Sequence, residues 1–163
     1  LKLIIASLII FSIVILFLFV LFPSDISVSR VIQIRASPGN VQKKISDLRE
    51  WGTWNEMLPS QSNQNNNQSG NTDSNYISRG VVSIEILKSV KDTIITQWKK
   101  GEKSFTGTYV LTEMNGQSVL EWTLYFHLHW YPWEKLASMF YDKQLGPIME
   151  NSLLKLRNEV EER

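Results

Sequence analysis

The chain has 163 residues, with 17 Lys and Arg against 16 Asp and Glu, a net charge of +1. So even a balance argues against a nucleic-acid-binding protein, which normally shows a basic excess or stripe, and no nucleic-acid partner is expected. The sequence has no cysteine, which excludes disulfides and thiolate metal sites but fits either side of a membrane. Six Trp, seven Phe and five Tyr are more aromatic surface than a plain core requires.

Residues Leu3 to Phe22 form an apolar run broken only by Ala6, Ser7 and Ser12, with no charge inside. A helix of that length, rising about 1.5 Å per residue, spans roughly 30 Å, the hydrocarbon thickness of a bilayer. A cleaved signal peptide is the rival reading, but its apolar stretch is shorter and ends in an Ala-x-Ala-like site. Here the run leaves through Leu21-Phe22-Pro23. Residues 1-23 are therefore expected to be a single transmembrane anchor, with the bilayer as partner and residues 24-163 as one domain. Lys2 precedes the span while Arg30 and Arg35 follow it, nearly a tie by the positive-inside rule. Because the chain opens on Leu1, there is room upstream for the charges that would decide. The reading leans towards an extracytoplasmic domain.

Ile26 to Arg35 alternates with period two: Ile26, Val28, Ile32 and Ile34 against Ser27, Ser29, Gln33 and Arg35. This predicts a half-buried strand, with Arg30 on the apolar parity. Ala36-Ser37-Pro38-Gly39 ends it, with Ser37 placed as N-cap and Pro38 at the first helical position. A short helix is expected over Asn40 to about Leu48. Trp51, Trp54, Met57 and Leu58 follow in a compact turn or second short helix. Residues 59-75, rich in Ser, Gln, Asn and Gly, are too polar to bury anything and are expected as a flexible loop.

From Tyr76 onwards the pattern predicts four strands in an antiparallel meander. Their apolar faces carry Val82, Ile84 and Ile86; Ile94, Thr96 and Trp98; Phe105, Gly107, Tyr109 and Leu111; then Leu120, Trp122, Leu124, Phe126, Leu128 and Trp130. Asn115-Gly116 is the strongest hairpin signal. The cover for these faces is Trp133 to Glu162, read as helix, with a kink or restart at Gly146-Pro147.

Particular residues carry a resemblance as well. The segment from Val28 to Pro38 resembles the opening strand and A-x-P turn of the START-like (SRPBCC, polyketide cyclase/dehydrase) superfamily. Asp47-Leu48-Arg49-Glu50-Trp51-Gly52-Thr53-Trp54-Asn55 looks like its D-x-x-x-W-P-x-W-N signature, with Gly52 where Pro is usual. Asp142-Lys143-Gln144-Leu145-Gly146-Pro147 and Leu153-Leu154-Lys155-Leu156 resemble its C-terminal helix, and Leu21-Phe22-Pro23-Ser24 is similar to a membrane-anchored bacterial subgroup. The resemblance implies an α+β helix-grip fold with a cavity for apolar molecules between sheet and long helix. It implies no cofactor and no agreed activity. The polar loop departs from the pattern, because it occupies the place of early strands and puts closure of the cavity in doubt.

Trp98, Tyr109, Trp122, Phe126 and Trp130 face inwards by parity, with Phe140, Met149 and Leu153 from the helix opposite; ordinary core packing accounts for most of such a set, and the alternative is that several line a cavity. Arg30 is the one inward charge, able to meet an acidic head group or a carboxylate of the last helix; left unpaired it would cost several kcal/mol. His127 and His129 share a strand face opposite the apolar one and lack a third metal ligand, so no metal and no catalytic residue is assigned. The chain is expected to bind a hydrophobic or amphipathic small molecule such as a lipid, quinone or polyketide-like compound. The alternatives are a cyclase or hydrolase of the same fold, or an interaction domain docking through Trp51, Trp54 and Trp133.

Overall fold

The alternating segments pair into one six-stranded antiparallel sheet of order β1-β6-β5-β4-β3-β2. A computed structural model describes residues 2–21, 24–59, 73–129 and 131–162, with the backbone alone at 18–21 and 132. Most of the loop expected at 59-75, and Trp130, fall outside the described residues. The elements are α1 (Lys2–Leu21), β1 (Asp25–Ile34), α2 (Pro38–Ser46), a 3-10 turn (Leu48–Glu50), α3 (Trp51–Trp54), β2 (Tyr76–Arg79), β3 (Val82–Val90), β4 (Thr93–Lys100), β5 (Lys103–Met114), β6 (Gln117–His127), α4 (Pro132–Ser138) and α5 (Tyr141–Glu161). With α5 laid against the inner face of the sheet, this is the α+β, helix-grip-like arrangement.

Parity set the faces correctly. Val28, Ile84, Ile94, Trp98, Tyr109, Leu120, Trp122 and Leu124 are buried beneath Met149, Leu153 and Leu156 of α5. β1 does not pair with its sequence neighbour; it closes on β6, from Asp25 opposite His127 to Ile34 opposite Ser118. The Asn115-Gly116 hairpin forms, with both residues at positive φ. The meander has one strand more than expected, since Tyr76–Arg79 is a separate short edge strand paired to β3. Four residues gave too short an alternation to stand out from the polar stretch before them.

Several boundaries differ from the sequence reading. Ser37 precedes α2, but its side chain makes no cap; the carbonyl accepts from the backbone of Asn40 and Val41 instead. The helix ends at Ser46 and not Leu48, because Asp47 turns extended and its carboxylate accepts the Arg49 backbone N–H at 3.0 Å, starting the next turn. At the C-terminus, α5 runs unbroken through Gly146 and Pro147. The interruption lies earlier, at Met139 and Phe140, where α4 stops.

Gly146 has a steric duty. The Arg30 guanidinium of β1 lies on it, held by Asp142 at 2.9 Å and Glu150 at 2.7 Å, the residues one turn to either side on the same helix face. A Cβ at position 146 would come within 2.0 Å of Arg30 Nη2. The inward charge thus has its partners in the last helix, and hydrogen bonding to Asp142 is the main reason its pKa is raised. Further along α5, Ser152 Oγ accepts the Glu56 N–H at 2.9 Å, and Glu159 meets Lys44 of α2 at 2.8 Å. Gly52 makes room in the same way: a Cβ there would fall 2.5 Å from the buried guanidinium of Arg79 on β2. The departure from the family's usual Pro is therefore matched by a cation packed over the site.

The helix α1 forms over Lys2–Leu21, and its described side chains are exposed on every face. Those side chains run from Lys2 to Phe17, about 24 Å of rise, against about 30 Å of hydrocarbon. Among the described residues no helix is long and apolar enough to cross a membrane, so the anchor expected at 1-23 is not established by the fold.

Three outcomes test these contacts by chemical denaturation. Gly146→Ala is expected to destabilise the chain by about 1–3 kcal/mol through the clash with Arg30, yet to be neutral or stabilising by up to ~1 kcal/mol in an Arg30→Ala background, where helix propensity alone acts. Equal effects in both backgrounds would refute the wedge. Gly52→Ala should likewise lose most of its cost, about 1–3 kcal/mol, once Arg79 is truncated to Ala. The third concerns Asp47, whose carboxyl is held low by the Arg49 side chain, against desolvation, with help from the Arg49 backbone N–H. A depressed carboxyl adds stability that is present above its unfolded pKa of about 3.9 and lost as pH falls through the folded value. Asp47→Ala should flatten the acid limb below about pH 4 and cost about 1 kcal/mol at neutral pH; superimposable acid limbs would exclude this contribution.

Candidate functional site

The middle of the inner face is filled by rings. Trp51 and Trp54 from α3 meet Trp98 of β4, Tyr109 of β5 and Trp122 of β6, with centroids 5.0 Å (Trp51–Tyr109), 5.2 Å (Tyr109–Trp122) and 6.3 Å (Trp98–Trp122) apart. All five are buried, as are Met149 and Leu153 opposite them. Trp51 and Trp54, considered for docking a partner, are thus core residues; the Trp51 indole donates to the Ile45 carbonyl at 3.0 Å. Trp98 is fixed by its indole N–H donating to Thr96 Oγ1, which donates in turn to the Gly107 carbonyl.

Four polar groups within this packing make no well-formed hydrogen bond among the described residues: Trp54 Nε1, Asn55 Nδ2, Trp122 Nε1 and the Tyr109 hydroxyl. Burial pushes the Tyr109 phenol well above its ordinary pKa, with the Asn55 side chain acting the other way. Three of the four are N–H donors. Each such group costs about 1–3 kcal/mol while it lacks a partner.

Open space lies at the end of the sheet where β1 begins and β6 ends. A pocket of about 540 Å³ is walled there by Met57, Phe105, Phe126, Tyr141 and Leu145, under a rim of Lys100, Glu102, Lys103, His127, His129 and Glu134. Phe105 and Phe126 pack at 4.8 Å, and Phe126 meets Tyr141 edge-on at 5.0 Å. The inner wall continues into the core, since Phe105 stacks on Trp98 at 5.7 Å. At the opposite end, a depression of about 500 Å³ is lined by Gln33, Arg35, Gln117, Arg157, Asn158 and Glu161 and offers an apolar molecule nothing to bury against.

Of the sheet and helix residues expected to line a cavity, Phe126 does. Trp98, Tyr109, Trp122, Met149 and Leu153 sit in the packed interior, Arg30 is tied to α5, and Trp130 is outside the described residues. Phe140 is 55% exposed, at the break between α4 and α5. Phe105 had the right parity. Leu145 shares the helical spacing of Met149, Leu153, Leu156 and Val160, but nothing in the sequence joins it to Met57 and Tyr141, since only the fold brings a loop and the start of α5 to one place.

Both histidines are exposed, as their parity implied, but β6 stops at His127 and so they edge the pocket mouth. His127 Nδ1 lies 2.6 Å from Asp25, and His129 Nδ1 lies 3.2 Å from Glu134. No group of three or more His, Cys, Asp or Glu able to hold a metal occurs among the described residues.

Known proteins bear on the fold. A START superfamily protein from Mycobacterium smegmatis shares 15% identity, with a TM-score of 0.55 over 83% of this chain and 97% of that one. CalU16 from Micromonospora echinospora shares 16%, with a TM-score of 0.55 over 80% and 71%. DynU16, from the dynemicin biosynthetic locus, shares 16% at a TM-score of 0.53, and the match spans 83% of this chain but 47% of that protein. No curated protein matches the chain. Residues 25–161 match the family described as polyketide cyclase / dehydrase and lipid transport, so that all six strands and the gripping helix fall inside the match. The chain belongs to that polyketide cyclase / dehydrase and lipid transport family.

Proposed function

We propose that the chain binds one hydrophobic or amphipathic small molecule in the pocket walled by Met57, Phe105, Phe126, Tyr141 and Leu145 and does so beside a lipid bilayer. The pocket itself carries the reading. Its volume of about 540 Å³ lies in the range that takes drug-sized ligands, and its apolar wall has a charged rim. A guest with an apolar body and a polar end fits that order: rings against the wall, polar end among Lys100, Lys103 and the histidines. Apolar burial would supply most of the affinity, at roughly 25 cal/mol per Å² removed from water. Family membership and the likeness to a START superfamily protein support a ligand of this class.

The membrane part of the proposal rests on the uncharged run from Leu3 to Phe22. Ser7 and Ser12 are the polar residues inside that run, and apolar side chains such as Leu3, Ile10, Phe11 and Phe17 are all more than half exposed. A lipid phase would bury them.

A second reading has one observation in its favour. The His129 side chain on the rim is backed by Glu134, the arrangement that orients an imidazole as a general base. A ligand seated in the pocket would present its polar end to this pair, as a cyclase- or hydrolase-type reaction needs.

Native mass spectrometry of the full chain extracted in mild detergent, with Nile red as probe, separates these readings. A co-purifying apolar molecule at one per chain is expected, displaceable by Nile red. Leu145→Trp, which fills part of the pocket from a half-buried wall position, should weaken Nile red by about tenfold with the melting temperature little changed. An empty chain that also fails to bind Nile red would overturn the proposal. Conversion of the extracted molecule, lost in His129→Gln while Nile red still binds, would select the enzyme.

A further inference from the structure

The helix α4 is inside out. Lys135 is 7% exposed and Glu134 is half-buried, while Trp133 is 65% exposed and Leu136, Met139 and Phe140 also stand in the open. Within α4, Trp133, Leu136 and Ala137 follow the i, i+3, i+4 spacing of a single helix face, and Met139 and Phe140 continue the exposed apolar run at the break that follows. A helix meeting water turns that face inwards; this one buries its charges and presents its apolar residues. Tyr131 stacks on Trp133 at 4.8 Å and 11°, extending the apolar surface with a second ring.

The position of this face is informative. The Leu128 N–H donates to the Ser24 carbonyl at 2.7 Å, and the His129 N–H donates to Glu134 of α4 at 2.9 Å. So the chain enters the domain at Ser24 beside the strand end onto which α4 folds back. Only two residues separate Leu21, the last of α1, from Ser24. Three Cα–Cα steps of about 3.8 Å limit that gap to about 11 Å. The apolar helix and the exposed apolar face are therefore joined at one end of the sheet, the end that also holds the pocket, whose rim includes Glu134.

We propose that α4 and the break after it lie in the headgroup and upper acyl region of the bilayer, with Trp133 and Leu136 of the helix and Met139 and Phe140 of the break facing lipid. This rests on the membrane reading given above for the N-terminal helix and adds a second, peripheral contact to it. Short amphipathic helices sink their apolar face about 5–10 Å into that region, and Trp and Tyr favour the depth where a ring meets both hydrocarbon and water. The pocket mouth then opens at the lipid surface, and an apolar guest passes between bilayer and protein without crossing bulk water.

The test uses the full chain reconstituted into phosphatidylcholine–phosphatidylglycerol vesicles with brominated acyl chains. Flotation with the vesicles reports the anchor. The fluorescence lost in Trp133→Phe reports α4. That difference signal should be quenched by the brominated lipid and shielded from aqueous iodide by about threefold or more relative to free indole. Leu136→Glu with Phe140→Glu, both at exposed positions, should abolish the shielding and leave flotation unchanged. A chain that floats while Trp133 stays fully open to iodide overturns the proposal for α4 and spares the anchor. A chain that does not float overturns both. Shielding without quenching by brominated lipid, together with disulfide capture between copies carrying Leu136→Cys, would assign the face to a second copy of the chain and overturn the lipid contact.

Discussion

Packing of five rings between sheet and helices is the constraint on which the remaining structure depends. Trp51, Trp54, Trp98, Tyr109 and Trp122 are contributed by α3 and three adjacent strands, and none reaches solvent. Rings of this size bury about 150–250 Å² each and prefer offset or edge-on contacts. They therefore fix the spacing of α3 from the sheet more tightly than aliphatic side chains would. The same packing fills the centre of the inner face and moves the open space to one end, against Phe105 and Phe126.

A second set of contacts holds the gripping helix. Arg30 against Gly146 ties α5 to the edge strand β1, while Ser152 and Glu159 tie it to the segment after α3 and to α2. These are polar contacts at the margins of an apolar interface, so they govern the placement of α5 and add modestly to its burial. The two ends of the molecule differ as a result. One is closed by amides and charges around Arg35 and Arg157. The other is apolar, holds the pocket and α4, and receives the chain from the N-terminal helix.

Much of this could be read from spacing. Period-two alternation placed Trp98, Tyr109, Trp122 and Leu124 on the buried face, and Asn115-Gly116 located the hairpin, because both signals act within a few residues of chain. The pairing of Arg30 with carboxylates of the last helix was foreseeable from the cost of an unpaired inward charge. Boundaries were harder. Asp47 ended α2 through one side-chain hydrogen bond, and the break in the C-terminal helix fell at Met139 and Phe140 although Gly146-Pro147 looked the stronger breaker. There Gly146 and Pro147 both lie inside α5, and Gly146 leaves the space that the Arg30 guanidinium occupies.

The inward parity of the long strands, the order of most elements, the balanced charge and the uncharged N-terminal run were legible in the chain, since all of these depend on local periodicity or composition. Only the tertiary structure decided whether inward rings enclose a hollow or fill it. That depends on how side chains from α3, which no strand pattern can register, interdigitate with those of the sheet. It also decided that Met57, Tyr141 and Leu145 meet at one pocket and that α4 turns its apolar side outwards, because both follow from where distant segments cross in space.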